Sequence, residues 1–247
     1  VYSSGSSATR SPGPDRKRTN WRDTHASVEG PAVAEFQRLF LETWEKSRGE
    51  PLPSRNYFPQ LKRAGSELVR AVGSVANEAV SPIYTTFVSA VDNAEDHVHV
   101  TVAYFVPDPQ SLEVLKRAAQ RGVDIKLILP SHTDFWAVFH AGRSYYDELL
   151  SAGVKIHERR GALLHAKTVL IDGVWSTVGW SNWDPRSFLH NNELNAVVLG
   201  REFAGQMRAM FETDLRNSDS IELEKWRARS PLDRLKEGFA RMWEYWL

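Results

Sequence analysis

At 247 residues the chain has room for one large domain or one and a half ordinary ones, and its 42% hydrophobic and 25% charged content is that of a folded protein. The 31 basic and 31 acidic side chains cancel, which argues against a global positive field for nucleic acid, so any anion site must be local. The absence of Cys excludes disulfides, thiolate nucleophiles and cysteine-ligated zinc, and no apolar run approaches the ~20 residues of a membrane span.

The chain opens on Val1 without a signal-like leader, and it is expected to be part of a longer protein. Residues 1–20 are rich in Ser, Gly, Pro and Arg and read as a flexible loop, with the basic cluster Arg16, Lys17 and Arg18 solvated. From Pro31 to Glu45, apolar residues at Val33, Phe36, Leu39, Phe40 and Trp44 predict a helix with one buried face. Prolines 51, 53 and 59 break that rhythm, and Glu67 to Val72 reads as a short strand. After Asn77 helices and strands alternate. The order is helix Pro82 to Asn93, strand His97 to Val102, helix Gln110 to Arg121, strand Asp124 to Leu129 and helix Gly142 to Ser151. Strands Val154 to His157, Leu164 to Ile171 and Glu193 to Leu199 follow. This alternation predicts an α/β sandwich, a mixed β-sheet flanked by helices. Near the end, Leu232, Leu235, Phe239, Met242, Trp243 and Trp246 share one stripe of an amphipathic helix. Docking of that stripe on the protein's own core is expected ahead of a membrane interface.

The chemistry concentrates in His165-Ala166-Lys167, Asp172-Gly173, Gly179-Trp180-Ser181-Asn182 and Asn192-Glu193. On a regular strand His165 and Lys167 project from one face about 6.6 Å apart, so both can reach one phosphate. Asp172 lies an odd number of positions from His165 and falls on the opposite face, which predicts support of the turn at Gly173 rather than direct contact. An imidazole is a good nucleophile when unprotonated and oriented by an acceptor on its other nitrogen, and Glu193 is the expected acceptor. Lys167 and the Asn182 amide would stabilise the phosphoryl oxygens, in the place of a metal ion. His97 and His99 share a strand face but lack a third ligand, and His132 with Asp134 is a weaker pocket candidate after a strand. A serine-hydrolase elbow is excluded, because Gly179-Trp180-Ser181-Asn182-Trp183 lacks its closing Gly.

At these residues the sequence resembles the phospholipase D superfamily, and more closely its bacterial cardiolipin synthase-like branch. The likeness extends through Trp21-Arg22-Asp23-Thr24-His25, Glu29 to Val33, Ala103 to Asp108 and Asn182 to Ser187. It implies His165, Lys167 and Asp172 as the catalytic motif, Ser181 and Asn182 at the phosphate, and Glu193 positioning the histidine. No metal and no cofactor are implied. The implied reaction on phospholipids forms a phosphohistidine, while a second histidine protonates the leaving alcohol and then activates the acceptor. Members carry two such motifs, and this chain carries one. The resemblance therefore implies a complete domain over 78–247 and the tail of a first over 1–77. The first motif would come from a missing amino-terminal domain or from a second copy of the chain. It also implies a peripheral place on the bacterial cytoplasmic membrane. The alternatives are a single-motif phosphodiesterase or nuclease active as a homodimer, and a non-catalytic membrane-associated domain. In that last reading Trp180, standing where the family has Ser or Thr, closes the pocket.

Overall fold

The computed structural model describes residues 2–9, 20–77 and 80–242, with backbone alone for 2–9 and 20. In chain order the first elements are β1 (Tyr2–Thr9), β2 (Asn20–Ser27), α1 (Val33–Lys46), β3 (Leu68–Ser74), α2 (Pro82–Asp92), β4 (His97–Val102) and α3 (Pro109–Gln120). Next come β5 (Asp124–Pro130), α4 (Trp136–Arg143), α5 (Tyr146–Ser151), β6 (Lys155–Arg159), β7 (Leu163–Leu164), β8 (Lys167–Ile171) and β9 (Trp175–Gly179). A π-helical turn (Arg186–His190), β10 (Glu193–Leu199), α6 (Arg201–Arg216), β11 (Ser218–Ser220), α7 (Leu223–Arg227) and α8 (Pro231–Arg241) complete the chain.

Eight strands form one mixed sheet in the order β11-β6-β5-β4-β8-β9-β10-β3, in which β4, β5 and β6 run parallel and the remaining pairs antiparallel. Alternation along β4 sorts its side chains. Val98, Val100 and Val102 enter the core under α2, α3 and α5, and His97, His99 and Thr101 face the side that α6 covers. Pro at the first turns of α2 and α3, with Ser81 and Asp108 accepting first-turn N–H groups, starts both helices. Phe203, Ala204, Met207 and Phe211 of α6 fill the other face. A second sheet, β1-β2-β7, lies at the edge of this sandwich. The mixed sheet between helical layers is the expected fold class.

Several local expectations need correction. Tyr2–Thr9, expected as loop, is a strand paired antiparallel with β2. The basic cluster Arg16–Arg18 and the tryptophans at 243 and 246 lie outside the described residues. Helix Gly142 to Ser151 is instead two helices, α4 and α5, broken at Ser144-Tyr145. Strand Leu164 to Ile171 is interrupted, because the N–H groups of His165 and Ala166 turn to the carbonyl of Arg22 on β2. Helix α1 buries no residue and leaves Phe40 and Trp44 exposed. The apolar stripe of α8 also faces solvent, while Glu237 and Ala240 are its buried residues. Finally β3, which precedes the expected boundary at 77, is the edge strand of the main sheet.

Candidate active site

Lys167 opens β8 opposite Val102, the last residue of β4, so the site lies at the edge of the sheet where β4 ends. β2 crosses this edge because Arg22 is anchored beneath it. Its guanidinium grips the Asp214 carboxylate through two bonds (2.9 and 2.6 Å), and Arg159 adds a third (3.1 Å). Such a buried ion network fixes geometry more surely than it adds stability. The next residue of β2, Asp23, therefore points to the opposite side, toward His165.

His165 Nδ1 sits 2.9 Å from Asp23 Oδ2. With a carboxylate accepting there, Nδ1 carries the proton and Nε2 keeps its lone pair. Thr24 N–H donates to the other Asp23 oxygen (2.8 Å), and the Trp21 ring packs at 5.0 Å from the imidazole. Burial works to raise the Asp23 carboxyl, yet the His165 bond, the Thr24 N–H and the Lys167 charge hold it below its usual value. Asp23 is thus ionised at neutral pH. The expected acceptor, Glu193, does not fill this role: its Oε1 accepts from Asn191 Nδ2 (3.1 Å). Glu193 instead stands near enough to Lys167 for their charges to interact, and burial raises its carboxyl.

Lys167 is buried, and its Nζ donates to the carbonyl of His165 (2.6 Å). Although the strand is broken between them, His165 and Lys167 still line one cleft of about 530 Å³, together with Asp23, His25 and Trp180. Desolvation pulls the Lys167 ammonium down to about 8, opposed by the carboxylates of Asp23, Glu193, Asp184 and Asp134. Burial in turn pushes Asp184 up to about 6. Asp134 is fixed by the Tyr104 hydroxyl (2.7 Å), so this half of the His132–Asp134 candidate faces the site. His132 is exposed, and its ring nitrogen Nδ1 lies 3.3 Å from the hydroxyl of neighbouring Ser131.

The turn after β9 needs Gly179, where a Cβ would stand 1.9 Å from Asn195 Oδ1. That oxygen accepts the N–H groups of Trp180 (3.2 Å) and Ser181 (3.3 Å), shaping the turn. Asn182 Oδ1 accepts from Tyr104 N–H (3.3 Å), which leaves the amide nitrogen as its donor. Ser181 is buried, and its hydroxyl donates to the Asn182 carbonyl (3.3 Å). Trp180 does not plug the cleft: it is 77% exposed on the rim.

Asp172 lies at the other end of β8. Its carboxylate accepts the N–H groups of Glu95 (3.0 Å), Asp96 (2.9 Å) and His97 (2.9 Å). Positive φ at Asp172 (52°) and Gly173 (61°), with Val174 N–H closing onto the Ile171 carbonyl, marks a type I′ hairpin. Asp172 therefore positions the strands and touches no cleft group. His97 bonds Asp96 (2.7 Å), and His99 is stacked flat on Phe211 (4.3 Å). Burial takes the His99 imidazole down to about 3. Among the described residues, no group of three or more His, Asp or Glu could hold a metal ion.

Asp23, Trp21 and Asn195 are the site residues that sequence reasoning missed. Residues Trp21 to His25 carry part of the family likeness, but no spacing ties Asp23 to a histidine 142 positions away.

Comparison with known proteins matches residues 87–215 to the family described as cardiolipin synthase, PLD-like domain. The chain is 34% identical over 224 residues to a cardiolipin synthase of Geobacillus kaustophilus, covering 90% of this chain and 45% of that protein. It is also 34% identical over 226 residues to one of Halalkalibacterium halodurans, covering 90% and 44%. The chain thus spans about half the length of these curated relatives. In fold it is similar to Nuc of Salmonella typhimurium, a phospholipase D family member (TM-score 0.55, 18% identity, 64% of this chain and 99% of that one). It is likewise similar to phosphatidylserine synthase of Haemophilus influenzae (TM-score 0.57, 12% identity, 73% and 47%).

Proposed function

Because the chain belongs to the cardiolipin synthase, phospholipase D-like domain family, we propose that it is a phosphatidyl-transfer domain working through a phosphohistidine at His165. The observation that carries this reading is the Asp23–His165 bond beside a buried lysine at an open cleft. Asp23 holds Nδ1–H, so Nε2 is free to attack phosphorus; the N–P bond forms as the P–O bond to the leaving alcohol breaks. Lys167 and the Asn182 amide stabilise the charge that gathers on the phosphoryl oxygens. The leaving oxygen takes a proton from a second imidazole. An acceptor alcohol then loses its proton to that same group and displaces His165.

We assign the second imidazole to another His-x-Lys unit, carried by an amino-terminal domain or by a second copy of this chain. In the first case the segment before β3 is the tail of that domain, β3 itself being the edge strand of the main sheet. Glu193, near Lys167 and bonded to Asn191 and Ser187 with no histidine among the described residues, is the acceptor in wait for it. The substrate is a phospholipid at the inner face of a bacterial membrane. The outward turn of Trp180 favours this reading over a closed, non-catalytic pocket.

Single-turnover labelling tests the first half-reaction alone. Incubated with phosphatidylglycerol labelled at its phosphate, and with the second His-x-Lys unit supplied on its own domain where the chain alone does not label, the chain should acquire an acid-labile, alkali-stable label that is absent from His165→Asn. A label retained by that variant, or no label on His165 with both units present, overturns the proposal.

A further inference from the structure

Helix α8 is inside out. Its large apolar residues, Leu232, Leu235 (72% exposed), Phe239 and Met242 (78%), lie on solvent, whereas its buried residues are Glu237 and Ala240. The inversion has a structural cause. Glu237 is drawn inward by Arg229, whose guanidinium lies over the Trp226 ring, and that cluster packs on Tyr146. At 100° per residue the four apolar side chains form one stripe, with Lys236 along one border and Gly238, then Arg234, beyond the other.

The stripe does not end with the helix. α8 packs beside α4, where Trp136 (50% exposed) is stacked at 4.6 Å on His140, and His140 faces Lys236 and Asp233. Phe135, next to Trp136, is exposed too. It adjoins Asp134, which is tied to Tyr104 and bears on the Lys167 charge. An exposed apolar surface with a tryptophan at its end thus runs from α8 to the loop of Asp134, whose charge bears on Lys167.

We infer that this surface, Leu232, Leu235, Phe239 and Met242 with Phe135 and Trp136, docks the protein on an anionic phospholipid bilayer. The choice of occupant rests on the phospholipid reading of the cleft and on charge. With Glu237 internally paired, the helix carries Arg234, Lys236 and Arg241 against Asp233, so its sum is cationic even though Lys236 pairs with Asp233 (3.2 Å) and the Arg241 guanidinium lies over the Tyr145 ring (4.5 Å). Apolar residues enter the acyl boundary, the flanking cations meet lipid phosphates, and Trp136 sits at the interface. The α4 start then holds the Asp134 loop, whose charge acts on Lys167, against the layer from which the substrate headgroup must rise.

Flotation with vesicles of equal parts phosphatidylglycerol and phosphatidylcholine tests this. The wild-type chain should float with them and bind pure phosphatidylcholine far less. Leu235→Asp combined with Phe239→Asp should weaken flotation by about tenfold or more. Lys236→Glu should weaken it about fivefold or more on anionic vesicles alone. Thermal melting of each variant is expected to match wild type because these side chains are exposed. Leu232→Asp provides an independent check should the double variant fold poorly.

His165→Asn should float like wild type, which separates the two proposals. Labelling of a soluble short-chain substrate without flotation sinks the docking surface and spares the transfer chemistry. Flotation without labelling, with the second His-x-Lys unit supplied, does the reverse. Wild-type-like flotation by the double variant overturns the inference. So does a dimer in solution that Leu235→Asp dissolves while vesicles go unbound, since the face would then be a protein interface.

Discussion

Two aspartates serve the two ends of strand β8, and the one inside the sequence motif holds the turn, as its strand parity predicts, while the one outside it meets the imidazole. Asp172 belongs to the motif, five residues after Lys167, yet it spends its carboxylate on three backbone N–H groups at the start of β4. Asp23 lies outside the motif, on a different strand, and holds the imidazole. The same side chain is scaffold at one end and, in the proposed function, orients the reacting imidazole at the other. What distinguishes them is the partner, backbone amide against imidazole, and the open cleft beside only one of them.

That contrast is broken most sharply at Asp23. Asp23→Asn keeps the shape but offers a poorer acceptor and permits the wrong tautomer, so phosphoryl transfer should fall by about 10²–10⁴ with little change in melting temperature. Single-turnover labelling beside a thermal melt reads both quantities. A variant within a factor of a few of wild type would strip Asp23 of its role.

Lys167 offers the next effect, with stability and activity moving apart. Lys167→Met should lower transfer by about 10²–10³ through loss of the cation at the phosphate. It should not lower the melting temperature, because it removes a charge whose burial costs free energy. The pH dependence has a defined sign. Desolvation places the folded lysine near 8 against 10.5 for the free group, so transfer declines as pH rises through about 8. Over the window from about 8 to 10.5 the unfolded chain binds more protons than the folded one, and stability from this group rises with pH. Asp184→Asn withdraws a carboxylate that supports the ammonium and should move the alkaline limb to lower pH. A limb that stays put in that variant would detach it from Lys167.

At the far end of β8 the effect is on folding. Asp172→Asn preserves a residue that tolerates the left-handed turn but loses the charge and one acceptor, costing about 1–3 kcal/mol. Burial tends to raise this carboxyl, and the backbone bonds from Glu95, His97 and Asp96 hold it below 3.8. Its stabilising contribution is therefore present above that pH and lost as pH falls through the folded value. Transfer per folded molecule should match wild type. A specific loss of transfer at full stability would return Asp172 to the chemistry.

These two ends also show what was legible beforehand. Strand alternation at His97–Val102 and helical spacing from Pro82 and Gln110 located the core, because burial there follows the period of one element. His165 and Lys167 were legible as a pair that shares a cleft. The parity that placed them on one regular strand was not, since β2 captures the N–H groups of His165 and Ala166 and interrupts it. Assignment of Glu193 to the imidazole failed for the same reason: a contact 142 positions away in the chain leaves no local period. In α8, spacing located the stripe but not its direction, which depends on the Arg229–Glu237 pair.

Trp180 gives the smallest effect and the finest test of the cleft. Its backbone N–H is fixed to Asn195, so Trp180→Thr should leave the turn in place and stability within about 0.5 kcal/mol. The exposed indole stands on the rim of the cleft, and its removal should raise KM for phospholipid while kcat stays within about twofold. A large rise in kcat would mean instead that the indole obstructs a hydroxyl-bearing turn of the kind found in the family. Trp180 would then belong with the reacting groups rather than with the lipid-facing rim.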